Sequence, residues 1–267
     1  MLDDIKGSKP LILFTLILLL LSGGVLIYLL VIKELNMPKI AIFWMNFWLC
    51  LAIIFTALSY RNFVIGYLLG LFAMLISWRI SAIYSIDALI YPFLLAFILY
   101  VVNFIYCVYY HLSHQKNNRI SLAEWQIVFI RIYMGFDFIP HFTEKLFAGS
   151  APHLEDVNAF IALGIPDPNS FVWFAGLCEF GAAVTLGLGL FMRIGVLGSV
   201  VYLMIAAGLG HHFSLGFIWA NTGGGWEFAV MWAVLMISFV ITGSHRFSLD
   251  QYLEEHFSFP QLIKRLM

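Results

Sequence analysis

Leu11–Ile32 reads LILFTLILLLLSGGVLIYLLVI, an uninterrupted apolar stretch without a single charge. About 20 apolar residues suffice for a helix to cross a bilayer. Lys6 and Lys9 precede this run. It is too long for the h-region of a signal peptide, and no small-x-small cleavage site follows, so an uncleaved membrane anchor is expected.

Similar runs recur at Ile40–Ser59, Phe63–Ile83, Ala88–Tyr110, Ala123–Phe147, Phe171–Met192, Ile194–Phe213 and Phe228–Gly243. Backbone groups in lipid must pair within their own segment, so each run is expected to be helical. The expected fold is an all-α polytopic membrane protein with about eight transmembrane helices. Composition agrees: 62% of residues are hydrophobic and 11% charged, against about one quarter charged in soluble domains. Mean hydropathy is +0.94. The net charge of -1 lacks the basic footprint that nucleic acid requires.

Lysine and arginine set the orientation. With a cytoplasmic N-terminus, Lys6, Lys9, Arg61, Lys116, Arg119, Arg193, Arg246, Lys264 and Arg265 fall inside. Lys33, Lys39, Arg79 and Lys145 fall outside. That excess favours both termini in the cytoplasm. The polar stretch Ser113–Arg119 divides the chain. Residues 1–112 form a four-span region, 120–255 a second four-helix region, and 256–267 a cytoplasmic tail. Ser121 and Glu124 have the spacing of a capping box opening the fifth run. Between the fifth and sixth runs, Pro152 is expected to start an interfacial helix with Leu154, Val157, Phe160, Ile161 and Leu163 on its apolar face. Asn169 or Ser170 is expected to cap the sixth run.

The fifth run carries the unusual chemistry. From Arg131 it reads RIYMGFDFIPHFTEKLF. Charges within spans cost roughly 3 kcal/mol each on insertion scales and by default face protein or water. Asp137, His141 and Glu144 are spaced to share one helix face, and Pro140 is expected to kink the helix. Glu179, His211, His212 and Glu227 fall at similar outer levels on neighbouring spans. They suggest an outward-opening polar pocket for proton-coupled or redox chemistry, with Arg131 paired to an acid. The alternative is a set of salt bridges and snorkelling chains that only orient helices. His141, Glu144, His211, His212 and Glu227 are of metal-ligand type. They lack a ligand spacing, and no metal centre is expected. Cys50, Cys107 and Cys178 form no CxxC pair, so a dithiol redox motif is absent. Small-xxx-small pairs such as Ala183 and Gly187 predict close helix contacts in the second half.

The second half resembles the DoxX family of four-helix membrane proteins over about Ala123–Leu253. RIYMGFDFIPHFTEKLF resembles the family's first helix, with Arg131, Gly135 and Lys145. LGIP at Leu163–Pro166 resembles its loop. AGLCEFGAAVTLGLGLFMR resembles the second helix, with Glu179 and closing Arg193. GGGWEFAVMW resembles the opening of the fourth helix, with Glu227, and GSHRFSLD the family's ending. The chain departs at Phe142, where relatives often carry glycine, and in having four additional N-terminal spans.

The resemblance implies a bacterial inner-membrane protein with a redox-linked role. Electron exchange between sulfur or thiol compounds and quinone is one form of it. Arg131 and Lys145 would then hold an anion or a quinone oxygen, and Asp137, His141, Glu179 and Glu227 would move protons. Lacking a dithiol, the chain would need a membrane or periplasmic redox partner or a bound quinone. A non-enzymatic scaffold of a redox complex and a small-molecule transporter are the alternative expectations. Oligomer formation stays open.

Overall fold

A computed structural model describes residues 5–32, 37–114, 120–244 and 246–267. Of the residues used above for orientation or resemblance, Lys33, Lys116, Arg119 and His245 lie outside these. The described residues are mostly helical, with no strand among them. The first four helices are α1 (Lys9–Ile32), α2 (Lys39–Leu58), α3 (Phe63–Ile83) and α4 (Asp87–His114). They reproduce the first four apolar runs. Asn62 caps α3 by accepting from the Ile65 N–H at 3.1 Å.

Six helices among the described residues are long and apolar enough to cross a membrane: α1 to α4, Pro168–Leu188 and Met192–Leu209. The other two expected spans are shorter. The fifth is broken into α5 (Leu122–Phe136) and α6 (Ile139–Leu146). Pro140, the second residue of α6, cannot donate a helix hydrogen bond, so the expected kink is a full break at Asp137 and Phe138. The expected capping box is present at its start: Ser121 Oγ accepts from the Glu124 N–H, and Glu124 accepts from the Ser121 N–H. The eighth run is α10 (Glu227–Thr242), 16 residues long, or about 24 Å of helix.

The expected interfacial helix is α7 (Ser150–Ala162), with Val157 buried and Leu154 and Ile161 exposed. It begins two residues before Pro152. The sixth run is α8 (Pro168–Ala182), continued by a π-helical turn, Ala183–Leu188. Its N-cap is Asp167, in the left-handed region and without a side-chain bond. This corrects the assignment to Asn169 or Ser170: Pro168 has a fixed φ that suits the first helical position. The chain continues through α9 (Met192–Leu209), α10, α11 (Leu249–His256) and α12 (Gln261–Leu266).

The two halves share one core. α3 is 78% buried, against 22–50% for the other long apolar helices, because both halves pack on it. Phe72 of α3 lies 5.7 Å from the Phe136 ring and 6.0 Å from that of Phe180. Arg79 of α3 forms an ion pair with Glu144 of α6. The Tyr84 hydroxyl donates to the Ala148 carbonyl. At the other end of α3, Phe63 and Tyr67 pack against Phe247. The additional N-terminal spans therefore supply a wall of the second half.

Candidate functional site in the second half

The site is built where α6, α7, α8 and α9 meet. Gly176 brings α8 against α6: a Cβ there would fall 3.0 Å from Lys145 Cβ. Glu179 lies three residues on, on the same face of α8. Lys145 Nζ sits 3.1 Å from Glu179 Oε2, with the two side chains 8% and 9% exposed. The ammonium also donates to the His141 carbonyl at 3.1 Å, near the end of α6. Tyr202 of α9 donates its hydroxyl to Glu179 Oε1 at 2.7 Å. A buried carboxylate is tolerable because ammonium and phenol replace the water it gives up.

From α7, His153 fixes the surrounding backbone. Its Nδ1 donates to the Lys145 carbonyl at 2.8 Å, its Nε2 lies 2.9 Å from Asn169 Oδ1, and its ring packs on Trp173. Asp156, one turn further along α7, has a buried Oδ2 with no hydrogen-bond partner among the described residues. Burial pushes its carboxyl above the ordinary aspartate range. Lys145 and His153 pull it down, while Glu144 and Glu179 push it further up. A folded-state pKa above the unfolded 3.8 favours the folded chain most below that value. The contribution is lost as pH rises through the folded pKa. Asp156→Asn should flatten this part of the stability–pH curve, as measured by thermal unfolding in detergent between about pH 3.5 and 7.

Lys145, Asp156, Glu179 and Tyr202 line a cavity of about 380 Å³. Its remaining walls are largely apolar, with Phe171, Phe174, Ile205 and Leu209 among them. Cys178 also reaches it. The cavity can receive an amphipathic molecule, placing a polar head against Lys145 and Tyr202 and an apolar tail between α8 and α9.

The other expected site residues lie elsewhere. Asp137 and His141 line a separate cavity with His212. Glu144 is committed to Arg79. Glu227 accepts the Trp219 N–H at 3.1 Å, fixing the loop before α10. Arg131 is fully buried and donates to the carbonyls of Leu186 at 2.8 Å, Gly187 at 3.2 Å and Phe247 at 2.7 Å. The hydrogen bonds of Arg131 thus form a backbone clamp, and the acid that interacts with it by charge is Asp250. The π turn exposes carbonyls that no following helical residue can satisfy, and the guanidinium serves them.

Asp250 acts on the other side of the same reversal. Its carboxylate accepts the N–H groups of Phe191 at 2.7 Å and Met192 at 3.1 Å, and so caps α9. Burial raises its pKa, while these two N–H groups, Ser244 and Arg131 lower it.

Residues 126–212 match the model of the DoxX family. Over these residues the chain is similar to that family. The DoxX match begins in α5 and ends just past α9, enclosing Arg131, the Lys145–Glu179 pair and Tyr202. Comparison with curated proteins and with solved structures gave no match.

Asp156 and Tyr202 are the site residues that sequence reasoning missed. Asp156 belongs to an amphipathic helix whose polar face reads as solvated. Tyr202 had one signal, a hydroxyl in the middle of the apolar run MRIGVLGSVVYLMIAAGL.

Proposed function

We propose that the DoxX region is a quinone site of a redox-linked protein in the bacterial inner membrane. The Lys and Arg distribution favours both termini in the cytoplasm. The supporting observation is the buried Lys145–Glu179–Tyr202 cluster at one end of an otherwise apolar cavity. A quinone has matching chemistry: carbonyl oxygens that accept hydrogen bonds, and an apolar tail.

In this reading Lys145 donates to a quinone oxygen, and Glu179 holds Lys145 in place. Reduction takes two electrons and two protons. With a thiol donor the balance is 2 RSH + Q → RSSR + QH2, the thiols being oxidised to a disulfide. Asp156, which keeps its proton to higher pH than an ordinary aspartate, and Tyr202 lie where they could relay protons to the quinone oxygens. The chain has no dithiol, so the thiol compound or a partner protein supplies the electrons.

The test is binding of decylubiquinone to the purified chain, followed by quenching of tryptophan fluorescence. Lys145→Met should weaken it at least tenfold. That variant leaves Glu179 buried without its cation, at a cost of about 3–5 kcal/mol. The Lys145→Met/Glu179→Gln double variant removes both charges and should recover much of the stability without recovering quinone affinity. Quinone binding unchanged in the double variant, or absent from the native chain, would contradict the proposal and favour a scaffold role.

A further inference from the structure

We infer that a second cavity, lined by α6, α9, α10 and the loop before α10, binds a small organic cation, with Asp137 as its counter-ion. The inference does not depend on the quinone reading. This cavity measures about 530 Å³, within the range that holds a small ligand. Asp137, Phe138, Trp219, Phe228 and Trp232 line it. The rings are held in pairs: Trp219 packs edge-on to Phe228 at 5.2 Å, and Phe138 to Trp232 at 6.4 Å.

Asp137 sits at the break between α5 and α6 with its side chain exposed. Among the described residues it forms no ion pair and no side-chain hydrogen bond. No lysine or arginine lines the cavity. The two cations of the same helix pair are committed elsewhere, Arg131 to three carbonyls and Lys145 to Glu179. His212 holds the Gly224 carbonyl through Nδ1 at 3.1 Å.

The cavity therefore combines one negative charge with several aromatic walls. An anionic ligand would meet the carboxylate, and a neutral apolar ligand would leave it with no neighbour of opposite polarity but the His141 imidazole. An ammonium carrying apolar groups satisfies both elements, through charge pairing and cation–π attraction. The ligand class is thus an alkyl- or arylammonium compound rather than a metal ion, since among the described residues no three His, Cys, Asp or Glu side chains come together as a metal site requires.

The experiment uses the full chain in detergent. Benzyltrimethylammonium and its uncharged isostere neopentylbenzene are titrated separately, read by quenching of tryptophan fluorescence. The ammonium should bind at least tenfold tighter than the isostere. Asp137→Asn should abolish that preference without changing isostere binding or the melting temperature. Asp137→Glu, which keeps the charge, should restore it. Equal affinity for the two probes, or an ammonium preference that persists in Asp137→Asn, would overturn the inference.

Discussion

Arg131→Met is expected to destabilise the chain more than any other single side-chain replacement at the polar positions of residues 126–212. Methionine fills a similar space and donates nothing. The carbonyls of Leu186, Gly187 and Phe247 would lose their guanidinium partner. A buried acceptor left unpaired costs about 1–3 kcal/mol, so three together amount to several. Arg131→Lys should recover only part of this, because one ammonium cannot reproduce the planar fork that reaches three carbonyls. Thermal unfolding in detergent gives the order: native, then Arg131→Lys, then Arg131→Met. The Met variant is expected to lose most of its monodisperse fraction on size exclusion. A melting temperature within a degree or two of the native value would show that the clamp contributes little.

Gly135→Ala is expected to destabilise the chain strongly by a different route. A Cβ on Gly135 would lie 2.0 Å from the Gly187 backbone nitrogen and 2.3 Å from its Cα. The obstacle is backbone, which cannot rotate aside as a side chain can. α5 and the π turn would have to separate, which also pulls Arg131 away from its carbonyls. Overpacking of this kind costs typically about 1–3 kcal/mol and occasionally more. Gly181→Ala is the control, since a Cβ there meets nothing within 4 Å. Gly135→Ala should melt well below the native chain, and Gly181→Ala within a degree or two of it.

Much of the fold was legible in the apolar runs. Charge-free stretches such as Leu11–Ile32 can only be helical in lipid, and α1 to α4 follow them closely. The second half was harder because its irregularities are tertiary. Pro140 signalled a disturbance, but whether the helix bends or breaks depends on what α6 packs against. Nothing in AVTLGL announces a π turn, whose freed carbonyls are stable because Arg131 comes from a distant helix.

The candidate site was legible as a set of expensive charges, not as a constellation. Glu179 stands out by its cost in a membrane and Lys145 by its place at the end of the charged fifth run, and the two meet. Arg131 stands out on the same ground, yet its hydrogen-bond partners are carbonyls, which opposite-charge reasoning does not consider. His141 and Lys145 are one turn apart in sequence. The His141 side chain and Lys145 nevertheless line different cavities, because α9, with Ala206 lining both, runs between them. Tyr202 and Asp156 are ordinary residues in sequence and gain their meaning only from the approach of α7 and α9 to α8.

The central claim, a quinone head group at Lys145, Glu179 and Tyr202, is tested most directly by photolabelling. An azido-quinone carrying the reactive group on its ring is irradiated with the purified chain, and the labelled peptides are identified by mass spectrometry. Label is expected on the α8 and α9 segments around Cys178 and Tyr202, to be displaced by excess decylubiquinone and lost in the Lys145→Met/Glu179→Gln variant. Label confined to other helices, or indifferent to both the competitor and the double variant, would contradict the account.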